Sequence, residues 1–533
     1  MISFDLDIKT QKIINHLYSE LSIDKWVNWL DISSKQEYLD YVLNHSGLFI
    51  VDDLLTKIRT EKTESRNLSI NKERILDHAP KGEALVFCHT SGTTDSRMTA
   101  LKWYQMSLSN VKNYWAPGMK AIFESSGLNK KNSAVIFVPS RLETDGYNEE
   151  NEKHILSLYS SEFSQRIMLS SIKPYSYSLF EYKNATNIDI ISKILSMENI
   201  AVISAPAVTI LKWADINKLK LGIEKSLKLS SMSSNPQLEG LLKIIDTNSI
   251  TDATRKIQQL LSEKLKNATI IFSISSLSQN DWRLIRKFMK WKNGFEKFTN
   301  LYVASEIGPI ASSLGNFQVS RSNQMYMLPL SLPVLEHKGE QYIISDSKST
   351  IGKVLISKMN GTKPVINIDI GDVINIKSQE NLPLIDGKIL RSSFILKYPI
   401  KVSQNISLPQ KYEIRVGDYF DLPSFEFSRP RALLECINKL HPNFTDSLFL
   451  LLNENKPEKN KLFSPKPPSD YNEISNCIKN LFNDKNPIDL EFISDKPVDF
   501  VENRTVMTDK VRAGKITKGI LKKWPLYVLK TIN

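Results

Sequence analysis

The sequence predicts an α/β chain. A large N-terminal domain of mainly parallel α/β layers carries a small β-rich subdomain, and a small α+β C-terminal domain follows. Three observations support this. Short apolar runs recur at "ALVFC" (84–88), "SAVIFVP" (133–139), "IAVISAP" (200–206) and "ATIIFSIS" (268–275). Segments long enough for helices separate them, including "DIISKILSM" (189–197) and "TRKIQQLLSEKLKN" (254–267); such alternation marks a mainly parallel sheet covered on both faces. Between 341 and 377 the texture changes to closely spaced strands, "QYIISD", "GKVLISK" and "PVINIDIGDVINI", which read as a smaller antiparallel subdomain.

The first 75 residues place apolar positions at helical spacing in "QKIINHLYSELSIDKWVNWL" and "QEYLDYVLNHSGLFIVDDLLTKI". A domain boundary falls near 387–400, after "LIDGKILRSSF". It assigns 1–388 to the N-terminal domain and 389–533 to the C-terminal one. Within the latter, "NENKPEKNKLFSPKPPSD" (453–470) reads as a long polar loop.

With 533 residues, 41% hydrophobic and 24% charged, the chain has globular composition and can bury a sizeable core. Charged groups interrupt the first thirty residues throughout, unlike a signal peptide. No stretch approaches the roughly 18 apolar residues that span a bilayer. Cys88, Cys436 and Cys477 lie far apart without metal-ligand spacing, and the seven histidines form no paired motif. Free buried thiols and a reduced, cytoplasmic setting are expected, without a membrane partner. The net charge is +12, and the excess gathers late: Arg504, Lys510, Arg512, Lys515, Lys518, Lys522, Lys523 and Lys530 face Asp509 alone. Such a segment attracts polyanions. Nucleic acid is not the expected partner, because no recognisable binding motif accompanies the charge.

"TSGTT" (90–94) hangs directly off an apolar run. Glycine flanked by hydroxyls lets backbone N–H and side-chain O–H groups converge on phosphate oxygens. The segment lacks the Walker A pattern, and by itself it is a poor clue that reads first as an ordinary solvated loop. Three later segments bear on the choice. Ser305 and Glu306 follow the apolar run of "NLYVASEIG" (300–308), Asp372 stands beyond Gly371 at a strand end, and Lys515 follows Gly514 in the basic segment.

In this order the segments resemble the core motifs of the adenylate-forming (AMP-binding) superfamily. "TSGTT" is similar to its phosphate loop, "YVASE" (302–306) to its tyrosine–hydroxyl–glutamate motif, "IDIGD" (368–372) to its ribose-binding motif and "AGKI" (513–516) to its C-terminal glycine–lysine motif. "SEIGPIAS" and the loop without a terminal lysine look more like the phenylacetate-CoA ligase and acyl-protein synthetase branch.

The resemblance implies an acyl- or aryl-CoA ligase that uses ATP and Mg²⁺ to make an acyl-adenylate and passes the acyl group to a thiol. Thr90, Ser91, Thr93 and Thr94 would hold the β- and γ-phosphates, with Gly92 allowing close approach. Glu306 would bind Mg²⁺ and Ser305 the α-phosphate, with Tyr302 and Ala304 lining the adenine site. Asp372 would accept hydrogen bonds from the ribose hydroxyls, and Lys388 would contact the ribose. Lys515 would arrive with a mobile C-terminal domain as the catalytic cation. The other readings are a turn or capping carboxylate for Glu306, a turn aspartate for Asp372 and a solvated basic face around Lys515.

Departures from the pattern are local. Asp95 and Ser96 replace the usual glycine–lysine pair, with Arg97 following as a compensating cation; the arginine of the ribose motif is absent; and "GKILR" (387–391) lacks the hinge aspartate. The expected substrate is a carboxylic acid. Arg141 pairs either with a second substrate anion or with an internal carboxylate. The acceptor is coenzyme A or the phosphopantetheine of a separate, acidic acyl carrier protein. The alternative keeps the fold but not the outcome: a protein that forms an acyl-adenylate or binds an acyl group without making a CoA thioester.

Overall fold

The structure, a computed structural model, describes residues 32–70, 84–90, 101–141, 146–150, 153–228, 236–273, 279–344, 351–379, 382–387, 389–392 and 394–395, together with the short segments 412–416, 420–422, 425–427, 448–452, 461–463, 491–493 and 526–531. Two compact units divide the chain. The first comprises Met1–His89, Trp103–Ile370 and Ile374–Ile389; the second comprises Thr90–Lys102, Gly371–Val373 and Leu390–Asn533.

In the first unit, the helical expectation for 11–30 lies outside the described residues. That for 36–58 is met in pieces, by helices Lys35–Ser46 and Leu54–Thr60. The first helix stops at Gly47, whose left-handed φ of 75° terminates the hydrogen-bond ladder.

The strands of this unit, in chain order, begin with β1 (Thr63–Glu64), β2 (Ala84–His89), β3 (Trp103–Gln105), β4 (Ser133–Val138), β5 (Gly146–Glu150) and β6 (Lys153–Tyr159). They continue as β7 (Ser176–Glu181), β8 (Ile200–Ser204), β9 (Thr269–Ser273), β10 (Phe298–Ala304), β11 (Gly308–Ser312) and β12 (Gln324–Met327). The last are β13 (Leu332–His337), β14 (Glu340–Ile343), β15 (Ile351–Asn360), β16 (Lys363–Gln379, of which Gly371–Val373 belong to the second unit) and β17 (Pro383–Asp386).

The main sheet runs β14-β13-β15-β16-β17-β12-β11-β10-β9-β8-β4-β7. From β7 to β10 every pairing is parallel. Alternation along the strands builds two layers: Val135, Phe137, Ile203, Ile270 and Phe272 pack with helices Ile188–Ser196, Ala207–Ala214 and Ile250–Leu265. Ala134, Ile136, Val138, Val202 and Ile271 face the other way, toward helices Ala116–Ser125 and Ser160–Ile172. This is the doubly covered α/β sheet the sequence predicts.

The antiparallel strands expected after 341 form as well, starting earlier, at Leu332. They extend the same sheet, because the long β16 neighbours both β15 and β17. One apolar run behaves differently. β2 lies in a separate four-stranded sheet, β3-β2-β6-β5, antiparallel to β3 and parallel to β6. Among the described residues no helix is long and apolar enough to cross a membrane.

In the second unit, β18 (Leu390–Arg391) is followed by β19 (Phe394–Ile395), β20 (Tyr412–Val416), β21 (Phe420–Leu422), β22 (Phe425–Phe427), β23 (Leu448–Leu452), β24 (Lys461–Phe463), β25 (Glu491–Ile493) and β26 (Leu526–Thr531). Six of them form a sheet of order β19-β20-β26-β23-β24-β25, and β21 and β22 make a hairpin.

Candidate active site

β10 is the last strand of the parallel run, and its carboxyl end is where open α/β sheets place ligands. There the chain reverses. Ala304 pairs with Gly308 at the start of β11, and Ile307 N–H donates to the Ala304 carbonyl at 3.2 Å. Gly308 closes this turn at φ 114°, which a side chain would strain. Ser305 and Glu306 therefore occupy the tip of a β-hairpin, both half-buried. No helix follows, so Glu306 is not a helix-capping carboxylate.

Two contacts within the first unit fix this tip. Tyr104 Oη donates to Glu306 Oε1 at 3.1 Å from β3. Ser305 Oγ lies 2.8 Å from Ser160 Oγ, the first residue of helix Ser160–Ile172. Burial and the Glu306 charge push the Tyr104 phenol far above the usual tyrosine range, so it remains a neutral donor. A neutral donor can orient a carboxylate without neutralising it.

A buried lysine belongs to the same unit. Lys358 on β15 is 3% exposed. Its Nζ sits 4.8 Å from the Tyr114 ring centroid and 3.4 Å from Asn110 Oδ1. Burial pulls its pKa down to about 8, and the charge of Glu306 opposes that shift.

Tyr302 is buried in an apolar cluster with Ile307, Ile310 and Met325, while Ala304 is half-buried near the turn. Thr90 and Asp372 belong to the second unit. Thr90 N–H donates to the Lys102 carbonyl at 3.1 Å. Asp372 does not end a strand, as the sequence suggested, but lies inside β16, opposite Arg391 and 2% exposed. The reason is Gly371. At φ 78° it takes a left-handed conformation without ending the strand, and the open space a Cβ would enter shows that conformation, not crowding, calls for glycine. Ser91, Gly92, Thr93, Thr94, Arg97, Lys388 and Lys515 lie outside the described residues.

Arg141 takes the internal alternative. Its Nε and Nη2 reach Glu162 Oε2 and Oε1 at 3.1 and 2.6 Å. Three residues at or near the site carried no sequence signal: Tyr104, Ser160 and Lys358. A fourth, His89, ends β2 fully buried between the rings of Trp103 and Tyr159, with centroids 4.7 and 4.2 Å away. Its place at the end of an apolar run, next to the hydroxyl-rich segment, was its only visible clue.

No protein-family model and no curated protein matches the sequence. Among solved structures, the chain is similar to a GH3.15 acyl acid amido synthetase, at 13% identity over 98% of this chain and 95% of that one, with a TM-score of 0.46. It is also similar to the amide bond synthetase McbA from Marinactinospora thermotolerans, at 10% identity over 80% and 68% of the two chains, TM-score 0.40. A third likeness is to O-succinylbenzoate coenzyme A synthetase from Bacillus subtilis, in complex with ATP and magnesium ion, at 11% identity over 79% and 67%, TM-score 0.39.

Proposed function

We propose that the protein is an ATP-dependent, AMP-forming ligase that activates a carboxylic acid as an acyl-adenylate and transfers the acyl group to a phosphopantetheine thiol. The observation that carries this reading is Glu306, a carboxylate just beyond the carboxyl end of the parallel strand β10, which lies inside the sheet between β9 and β11, oriented by a neutral phenol. What supports it from the sequence is the order of the four motifs.

Mg²⁺ keeps several waters and takes one or two carboxylates plus phosphate oxygens. A single half-buried glutamate suits that demand, and among the described residues no group of three or more His, Cys, Asp or Glu could hold a metal alone. Glu306 would hold the ion, which when bound with nucleotide neutralises phosphate charge. Tyr104 keeps Glu306 aimed. Ser160 holds the Ser305 hydroxyl, the proposed α-phosphate donor. Thr90, Ser91, Gly92, Thr93, Thr94 and Arg97 are the proposed phosphate contacts, Tyr302 and Ala304 the adenine wall, Asp372 and Lys388 the ribose contacts, and Lys515 the catalytic cation. Coenzyme A or an acidic acyl carrier protein would accept the acyl group.

The second reading, an acyl-adenylate passed to another nucleophile, is favoured by Asp95 and Ser96 where the loop resemblance expects glycine and lysine. One experiment separates the two. The protein is incubated with ATP, Mg²⁺, coenzyme A and a pool of carboxylic acids, and pyrophosphate, AMP and thioester are followed by mass spectrometry. Thioester with AMP supports the first reading, adenylate without thioester the second, and no ATP consumption removes both. Lys515→Ala is expected to slow pyrophosphate release by about a hundredfold or more while ATP binding persists; an unchanged rate would place the catalytic cation elsewhere.

A further inference from the structure

We propose that Lys358 is an oxyanion-binding residue of the Glu306 site, its ammonium meeting a phosphate or carboxylate oxygen of the bound substrate. The inference deepens the ligase reading and rests on its placement of the site at the β10–β11 turn.

Burying an ammonium is costly unless its donors are filled. Lys358 offers three N–H donors. Around them the structure supplies a neutral amide oxygen at 3.4 Å and the face of Tyr114. Neither is an anion, so donor capacity remains at a position 3% exposed. A chain that needed only packing there would use methionine, which has the same reach without the charge.

The surroundings are built to hold that nitrogen. Asn110 and Tyr114 lie in one helical stretch that widens to π-helix over Val111–Trp115. Pro117 follows, and it has no N–H to give the carbonyl four residues back, which accounts for the widening. Tyr114 Oη donates to the Met359 carbonyl at 3.1 Å and accepts from Met359 N–H at 2.9 Å. The ring under Lys358 is thus pinned to the next residue of the same strand.

The π-helical turn also lies against the hairpin that carries Glu306. A Cβ on Gly308 would meet Tyr114 and the Trp115 ring at 3.5 and 3.6 Å. Lys358 and Glu306 are therefore opposite charges on a shared support, the helical turn that meets both the lysine and the Gly308 end of the hairpin. On the alternative that Lys358 only balances Glu306, Lys358→Met weakens anion binding solely through the uncompensated glutamate, and the loss vanishes in the Glu306→Gln background.

The test is calorimetric titration of the full chain at pH 7 without metal, using pyrophosphate in one arm and benzoate in the other. Lys358→Met, Lys358→Arg and Glu306→Gln are compared with wild type. Lys358→Met is expected to weaken the bound anion by about tenfold or more, Lys358→Arg to retain most of the binding, and Glu306→Gln to tighten it by removing a like charge. The arm that responds identifies phosphate or carboxylate as the source. Equal binding by wild type and Lys358→Met, or no binding in either arm, overturns the inference. The ligase reading fails separately: wild type that binds pyrophosphate through Lys358 yet never forms adenylate retires that reading alone. Adenylate formation with unaffected Lys358→Met binding retires the inference alone.

Discussion

Two buried charges in the first unit are handled in opposite ways. Glu162 is fully buried and receives two guanidiniums: Arg141 bidentate, and Arg166 through Nε at 2.8 Å and Nη2 at 2.7 Å. Lys358 is nearly as buried and receives an amide oxygen and a ring face. The first arrangement is closed, with both carboxylate oxygens held by guanidinium N–H groups. The second is open. A closed charge cluster anchors structure, whereas an incompletely answered charge is a cost that a ligand can remove.

The largest expected effect breaks the closed cluster. Glu162→Ala leaves Arg166, itself 6% exposed, facing Arg141 with no anion between them. Stability should fall by about 3–5 kcal/mol, the usual penalty for stripping one partner from a buried pair. Urea unfolding followed by tryptophan fluorescence reads this directly. A loss below about 1 kcal/mol would mean that water reaches the guanidiniums and that the cluster is not closed.

The open charge should respond with the opposite sign. The Lys358 ammonium loses its proton near pH 8 in the folded chain and near 10.5 when unfolded. Below pH 8 both states are protonated and the folded state bears the full burial cost. Between the two values the unfolded chain binds more protons, so raising the pH stabilises the fold. The separation corresponds to roughly 3 kcal/mol. Lys358→Met should therefore be more stable than wild type by up to that amount at pH 7, with the advantage shrinking as pH rises from 8 and vanishing by 10.5. A pH-independent difference would show that the lysine is not the titrating group.

The same contrast explains what could be read from sequence. Alternating apolar residues such as Ala134, Val135, Ile136 and Phe137 encode burial on both faces of a strand, so the parallel core was legible. Partner choice was not: β2 has the same texture but pairs in another sheet, because an apolar run specifies burial and not its neighbours. The position of Glu306 just beyond a strand was legible because a strand end is a local property. Tyr104 and Ser160 reach the turn from 202 and 145 residues away. No local spacing connects such positions. Lys358 was hidden for a further reason: in a strand reading "VLISKMN" a lysine looks like an outward-facing residue, and only the Tyr114 ring shows that it faces inward. The strand end expected at Asp372 did not appear, since Gly371 takes a positive φ inside a strand that continues.

The smallest expected effect on stability sharpens the comparison at the turn itself. Tyr104→Phe removes the hydroxyl that donates to Glu306 and keeps the ring within the apolar cluster that also holds Trp115 and Phe163. Glu306 is half-buried, so water can replace the lost donor and stability should fall by only about 1 kcal/mol. Function should respond more strongly than the fold. A carboxylate that swings between water and its former position is a poorer ligand, and adenylate formation should drop by roughly tenfold, with Mg²⁺ required at higher concentration. Because burial and Glu306 hold the phenol above its usual range, the wild-type contact should persist through pH 10. An activity loss no larger than the stability loss would reduce Tyr104 to packing. The orientation of Glu306 would then have to come from the hairpin alone.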